Sequence, residues 1–301
     1  MIKPKYPIYI ISKGRADKCL TANFLIKDNV DFKLVVEPQE AEKYSSKYGK
    51  ERILVLPFNN LGQGSIPARN WVWEHAKKTG IKRHWILDDN IRLIRRLYKG
   101  KRIPCNSNIA FSVVEDFADR YENIAIIGLN YTMFVKPFTT KKPFYLNAHV
   151  YSCILILNEL PNRWRGRYNE DTDLCLQVLA DGWCTVLINT FMCDKIATMK
   201  MKGGNTDELY KNHGRLDMAK SLERAWPYVV ETKRKFKRPQ HHIKFNWKKF
   251  DTPLKRRKDI DFDSLTNDKY NINLIEVKEI KDTELKKLKK EYKNINNKKL
   301  E

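Results

Sequence analysis

Residues 60–90 narrow most sharply what this chain can fold into. They include Gly62-Gln63-Gly64-Ser65-Ile66-Pro67-Ala68-Arg69-Asn70, then an amphipathic segment, then Arg83-His84-Trp85-Ile86-Leu87-Asp88-Asp89-Asn90. The glycines permit a tight loop. The spacing after them predicts a helix over 66–78 with Gly80 as its C-cap, and the apolar run 84–87 predicts a strand. That strand runs out into two adjacent carboxylates. Upstream, strands are expected at 7–12, 32–36 and 53–56, with helices at 16–27 and 39–48 between them. Such alternation predicts an α/β fold with a mostly parallel sheet and flanking helices. Ligands of such sheets lie beyond the carboxyl ends of the strands. Residues 12–15, Glu37, 57–64 and 88–90 all fall on that edge.

The second half is more mixed. Helices are expected at 107–121, 172–180 and 216–230, and strands at 124–129, 149–157 and 184–188. Residues 163–169 read as a polar, aromatic loop, and Lys202-Gly203-Gly204-Asn205 as a flexible one. Residues 1–230 form one expected domain. Residues 231–301 form a basic, charge-rich extension, within which 284–293 reads as a surface helix.

The net charge is +22, of which residues 251–301 supply only +3 and residues 231–250 supply +7. The first 230 residues therefore carry +12 themselves. A field of that sign attracts polyanions, although a Lys- and Asn-rich composition alone also produces it. Six cysteines show no C-x-x-C pair and several lie in apolar runs, as buried thiols do. No signal-peptide pattern and no bilayer-length apolar run occur, so a cytoplasmic protein without a membrane partner is expected.

Asp88-Asp89 is the first candidate site. Adjacent carboxylates behind a buried strand repel one another unless a cation neutralises them. Mg²⁺ or Mn²⁺ shared with substrate phosphates would do so; a helix N-cap is the structural alternative. The second candidate is Asn169-Glu170-Asp171-Thr172-Asp173, with Gly182-Trp183 following. A carboxylate there can take a proton from an attacking hydroxyl, or simply complement a helix dipole.

Ala68-Arg69-Asn70 followed by Leu87-Asp88-Asp89-Asn90 resembles, in order and spacing, the donor-binding half of GT-A glycosyltransferases, especially the inverting family-2 type. Glu170-Asp171 resembles that family's general-base motif. The resemblance implies a GT-A domain, a nucleoside-diphosphate sugar donor (UDP-linked) and a divalent cation, Mn²⁺ or Mg²⁺. It implies that Ser12, Lys13, Gly14, Arg15, Glu37, Gly62, Gly64, Arg69, Asn70, Asp88 and Asp89 bind the donor. Asp89, Asn90 and His213 would hold the metal, and Glu170 or Asp171 would act as the base. One departure is Asn90, which stands where the family usually has a metal-binding acid.

Residues 5–230 are similar in layout to a narrower group, the predicted glycosyltransferases found with TET/JBP-type oxygenases in bacteriophages. That likeness implies an acceptor in DNA, the hydroxyl of a 5-hydroxymethylpyrimidine, and the host cytoplasm as location. The expected DNA contacts are Arg92, Arg95, Arg96, Lys99, Lys101 and Arg102, with Arg163, Trp164, Arg165 and Arg167 beside the base. The first cluster can equally be the solvated face of a helix. The alternatives are a glycosyltransferase for glycans, a nucleotidyltransferase and a non-catalytic DNA-binding protein. The third has no use for acids at 88–89 and 170–171.

Overall fold

The computed structural model describes residues 2–98, 100–137, 142–166, 168–196, 214–235, 238–243 and 250–265, with positions 270 and 290. Its first half builds β1 (Ile8–Ile11), α1 (Leu20–Lys27), β2 (Lys33–Val36), α2 (Ala41–Tyr48), β3 (Ile53–Val55), α3 (Ile66–Lys78) and β4 (Arg83–Asp88). Next come β5 (Ile91–Tyr98), β6 (Lys101–Pro104), α4 (Ser107–Asp119), β7 (Ile124–Tyr131), β8 (Phe144–Leu146) and β9 (Cys153–Leu157). The chain continues through α5 (Glu170–Ala180), β10 (Cys184–Lys195), α6 (Gly214–Ala225), β11 (Val230–Lys235) and β12 (Arg238–Ile243).

Ten strands form one sheet in the order β3-β2-β1-β4-β9-β7-β10-β5-β6, with β8 also on β10. Strands β1 to β4 are mutually parallel, as are β7 and β10, while β9, β5 and β8 run against them. The architecture is the expected one, a large, mostly parallel sheet with flanking helices. Side chains of a strand alternate between faces, and here both faces are buried. Ile8, Ile10, Trp85 and Leu87 enter the core under α1 and α4. Tyr9, Ile86, Ile154 and Ile156 enter a second core under α3 and α5. Gly128 of β7 is required by packing, because an added Cβ would lie 2.3 Å from the Cys153 carbonyl oxygen and 2.5 Å from Val150 Cγ1.

Several elements differ from expectation. The Arg92–Arg102 cluster is not a helix face but a β-hairpin, β5 and β6, turned at Gly100 with φ +74°. Pairing of β5 with β10 decides this, since sheet context overrides the local charge pattern. Strand β10 runs seven residues beyond the expected end at Ile188, and α6 stops before Pro227. Most of the expected helix at 284–293 and the glycine loop at 202–205 lie outside the described residues.

Described residues of the C-terminal segment pack on the body. Val230 opens β11 and is buried with Leu176, Leu222 and Val229. Farther on, Asn123 and Asn147 donate to the carbonyls of Pro253 and Thr252 at 2.9 and 3.0 Å.

Candidate active site

The turn after β4 is fixed by one hydroxyl. Thr21 of α1 donates from Oγ1 to the Asp88 carbonyl at 2.6 Å and accepts the Ile91 N–H at 3.0 Å. Its own N–H donates to the Asp89 carbonyl at 3.2 Å. The two carboxylates are thereby held in different surroundings.

Asp88 Oδ1 accepts from Arg69 Nη2 at 2.9 Å. Its Oδ2 accepts from Lys195 Nζ at 2.6 Å and Ser152 Oγ at 2.7 Å. Burial alone would raise its pKa, but Lys195 and Arg69 hold it well below the usual carboxylate range. Asp89 Oδ1 accepts from Arg15 at 2.6 Å, and Oδ2 from Ser12 at 2.7 Å. Burial raises the Asp89 pKa, with Arg15 opposing.

These bonds test the expected divalent cation. A metal needs carboxylate oxygens facing it. All four oxygens here are bonded to chain donors, and three cations (Arg15, Arg69 and Lys195) surround two anions. No group of three or more His, Cys, Asp or Glu side chains arranged to hold a metal ion occurs among the described residues. Asn90 Oδ1 is buried without a hydrogen-bond partner among them, but it is a single neutral oxygen. His213 lies outside the described residues. The residues as arranged do not fit a cation held by Asp88 and Asp89.

The second motif reaches the first through Arg69. Glu170, at the start of α5, lies with Oε1 3.9 Å from Arg69 Nε and accepts from Ser65 Oγ at 3.3 Å. One guanidinium therefore spans Asp88 and Glu170. Burial raises the Glu170 pKa, Arg69 opposes, and the Asp171 and Asp88 charges add to the rise. Asp171 is lowered despite burial, because His149 stands 3.3 Å away. Asp173 is drawn inward by Arg165 and by Trp226 Nε1 at 2.7 Å.

The expected donor residues line the sheet edge. Glu37, the residue after β2, accepts from Lys13 Nζ at 3.2 Å, and Lys13 also donates to Asn60 at 3.0 Å. The Gly14 N–H donates to Glu40 at 2.6 Å. A shallow cleft is lined by Lys13, Glu37, Phe58, Gly62, Gly64 and Pro67. Asn70 points elsewhere: its amide brackets the Trp164 backbone, accepting from the N–H at 2.9 Å and donating to the carbonyl at 2.8 Å. Trp164 is 2% exposed, with Arg69 4.6 Å above its ring, so its face is not open to a nucleobase.

The expected DNA contacts fall in two groups, one on the β5–β6 hairpin and one in the loop before α5. Arg92 and Arg95 both pair with Asp194, at 2.6 and 3.1 Å. Arg96 lies over Tyr98, Arg102 donates to the Thr132 carbonyl at 2.6 Å, and Lys101 is exposed. Arg163 pairs with Glu74 and Arg165 with Asp173. Lys99 and Arg167 lie outside the described residues.

Lys195, Ser152, Tyr131 and His149 carried no sequence signal, and neither did His241. The His241 imidazole is held below its usual pKa by burial and by His149, with Asp171 opposing.

The sequence model of the TET-associated glycosyltransferases matches residues 6–204, well over half of the chain. The chain belongs to that family. It is a glycosyltransferase. A solved structure, a provisionally assigned nucleotide-diphospho-sugar transferase from Desulfovibrio desulfuricans G20, is similar at 11% identity and a TM-score of 0.36, covering 62% of this chain and 80% of that one. No curated protein matches. Among the described residues no helix of the transferase is long and apolar enough to cross a membrane.

Proposed function

We propose that the transferase moves a sugar from a UDP-linked donor to the hydroxyl of a 5-hydroxymethylpyrimidine in DNA. The observation that carries this reading is the Arg69 bridge. It sets the donor-type acids of β4 and the base-type acids of α5 on either side of one guanidinium. A donor diphosphate and an acceptor hydroxyl bound at those two motifs would meet at a common point. The family match and the charge of +22 favour the DNA acceptor.

In this reading the uridine occupies the cleft beside Lys13 and Glu37. The acceptor oxygen attacks the anomeric carbon while Glu170 or Asp171 takes its proton, and the bond from that carbon to the diphosphate oxygen breaks. UDP leaves with the bonding pair. Its charge is met by cations of the chain, with Arg69 best placed. A divalent cation, which the acidic motif implies, would have to displace Lys195 from Asp88.

The test is direct. The protein is incubated with hydroxymethylcytosine or hydroxymethyluracil DNA and a panel of UDP-sugars, with Mn²⁺ or with EDTA, and the nucleosides are analysed by mass spectrometry. A hexose or pentose adduct on the modified base is expected. Transfer to a glycan acceptor with no adduct on DNA would overturn the reading.

A further inference from the structure

Strand β10 delivers a lysine to the acidic turn. Its register against β5 shifts at a β-bulge between Asp194 and Lys195, and Lys195 then lies opposite Ile91, just past that turn. Bulges beside active sites re-aim a side chain. Here Asp194 pairs with Arg92 and Arg95, whereas Lys195 reaches Asp88. The next residue, Ile196, donates its N–H to the Asn90 carbonyl at 3.1 Å. The backbone at Lys195 is therefore tied to the same turn that carries the two acids.

The side chain is equally fixed. Lys195 Nζ donates to Asp88 Oδ2 at 2.6 Å, to Ser152 Oγ at 2.7 Å and to the Tyr131 hydroxyl at 3.2 Å. These contacts use all three donors of an ammonium. The side chain is 9% exposed, so a displaced ammonium has no ready exit to water.

The charge of the surroundings points the same way. Arg15, Arg69 and Lys195 set three positive charges against the two of Asp88 and Asp89. One positive charge is left over. A divalent cation would enter against that charge and compete with chain donors for every carboxylate oxygen. A diphosphate would enter with it. Arg69 Nη1 is buried and has no hydrogen-bond partner among the described residues. A buried donor left in that state is costly, and a phosphate oxygen would satisfy it.

We propose that Lys195 takes the place of a divalent cation in this transferase: it neutralises Asp88, leaves Arg69 to meet the donor diphosphate, and makes donor binding independent of metal. The proposal rests on the nucleotide-sugar donor reading above and not on the identity of the acceptor. Lys195 is a positioning residue, since its donors are all engaged within the chain. The acceptor oxygen bonds to the anomeric carbon, and its proton passes to Glu170 or Asp171. The bond from that carbon to the diphosphate oxygen breaks, and the pair leaves with UDP. The guanidinium that meets this charge is already in place and needs no ion to arrive.

The experiment titrates the full chain with UDP by calorimetry in EDTA, in Mg²⁺ and in Mn²⁺. Wild type, Lys195→Arg and Lys195→Met are compared. The wild type should show the same Kd in all three buffers, and Lys195→Arg, which keeps the charge, should behave likewise. Lys195→Met should bind UDP at least about tenfold more weakly in EDTA and recover in Mn²⁺. Thermal melts check folding, and Lys195→Gln, which keeps a donor without the charge, replaces Lys195→Met if that variant does not fold. UDP binding by the wild type only with metal would overturn the proposal and leave the donor reading intact. An uncharged variant with unchanged Kd in EDTA, or a loss that Mn²⁺ does not relieve, would overturn it as well, the latter marking a merely structural lysine. Absence of UDP binding in every buffer would sink the donor reading and the proposal with it.

Discussion

The Lys195 ammonium lies 2.6 Å from Asp88 Oδ2 and shares that position with Ser152 Oγ, 2.7 Å from the nitrogen. Burial opposes its charge, yet Asp88 holds the Lys195 pKa raised. A chain cation therefore sits at the carboxylate oxygen a metal would otherwise take. Lys195→Met should cost about 3 kcal/mol or more of stability, because it leaves a buried charge short of a partner. It should also open Asp88 to divalent ions. Electron paramagnetic resonance of Mn²⁺ checks this: weak binding is expected in the wild type and tighter binding in the variant. Tight Mn²⁺ binding to the wild type that Asp88→Asn abolishes would contradict the arrangement.

Arg69 contacts Asp88 through Nη2 and approaches Glu170 through Nε. Lysine offers one point charge and cannot serve both. Arg69→Lys is expected to lower kcat/KM about a hundredfold, the equivalent of roughly 3 kcal/mol in lost charge-assisted contacts. Transfer kinetics at saturating donor provide the measurement.

The two candidate bases predict different pH profiles. Glu170 is raised from its ordinary 4.5, whereas Asp171 is lowered from 3.8. If Glu170 is the base, kcat/KM rises with pH through a value above 4.5. If Asp171 is the base, the acid limb falls below 3.8 and activity is flat through that range. Glu170→Gln and Asp171→Asn profiled together identify the group.

Glu115 gives a stability prediction of the opposite kind from a salt-bridged acid. Burial pushes its pKa from 4.5 up to about 7, against the N–H groups of Lys5, Tyr6 and Trp85 that it accepts. A raised folded-state pKa means the folded chain binds the proton more tightly. Its contribution is complete below pH 4.5 and is lost as pH rises through about 7. The stability of the wild type should therefore fall across that window relative to Glu115→Gln, by an amount on the order of 3 kcal/mol, and its melting temperature should fall with it. Parallel thermal melts of the two proteins at several pH values measure the difference.

Gly128→Ala places a methyl group against the Cys153 carbonyl oxygen and Val150 Cγ1. Strands β7 and β9 must separate to admit it, at a cost of about 2 kcal/mol. The shift should reach Ser152, the residue before Cys153, and so weaken its bond to Asp88. Chemical denaturation together with transfer activity tests both effects.

Much of the donor half was legible because its signals are local. Helix α3 begins at Ile66 with Pro67 in its first turn and ends at Lys78, as the glycines and the apolar spacing predicted. The acids of β4 follow at a fixed distance along the chain. The partners of those acids were not legible. Lys195 is 107 residues from Asp88 and Ser152 is 64, and only the order of β4, β9, β7 and β10 in the sheet brings them together. Trp164 misled for a related reason: its polar neighbours suggest an exposed loop, but Asn70 clamps its backbone from 94 residues away.

The Arg69 bridge also determines how mutations at the two motifs combine. Asp88 and Glu170 are 82 positions apart in the chain yet face the same guanidinium. Removing either acid changes the balance of charge felt by the other. In a double-mutant cycle the effects of Asp88→Asn and Glu170→Gln would therefore not add, and the two halves of the site would count energetically as a single residue cluster.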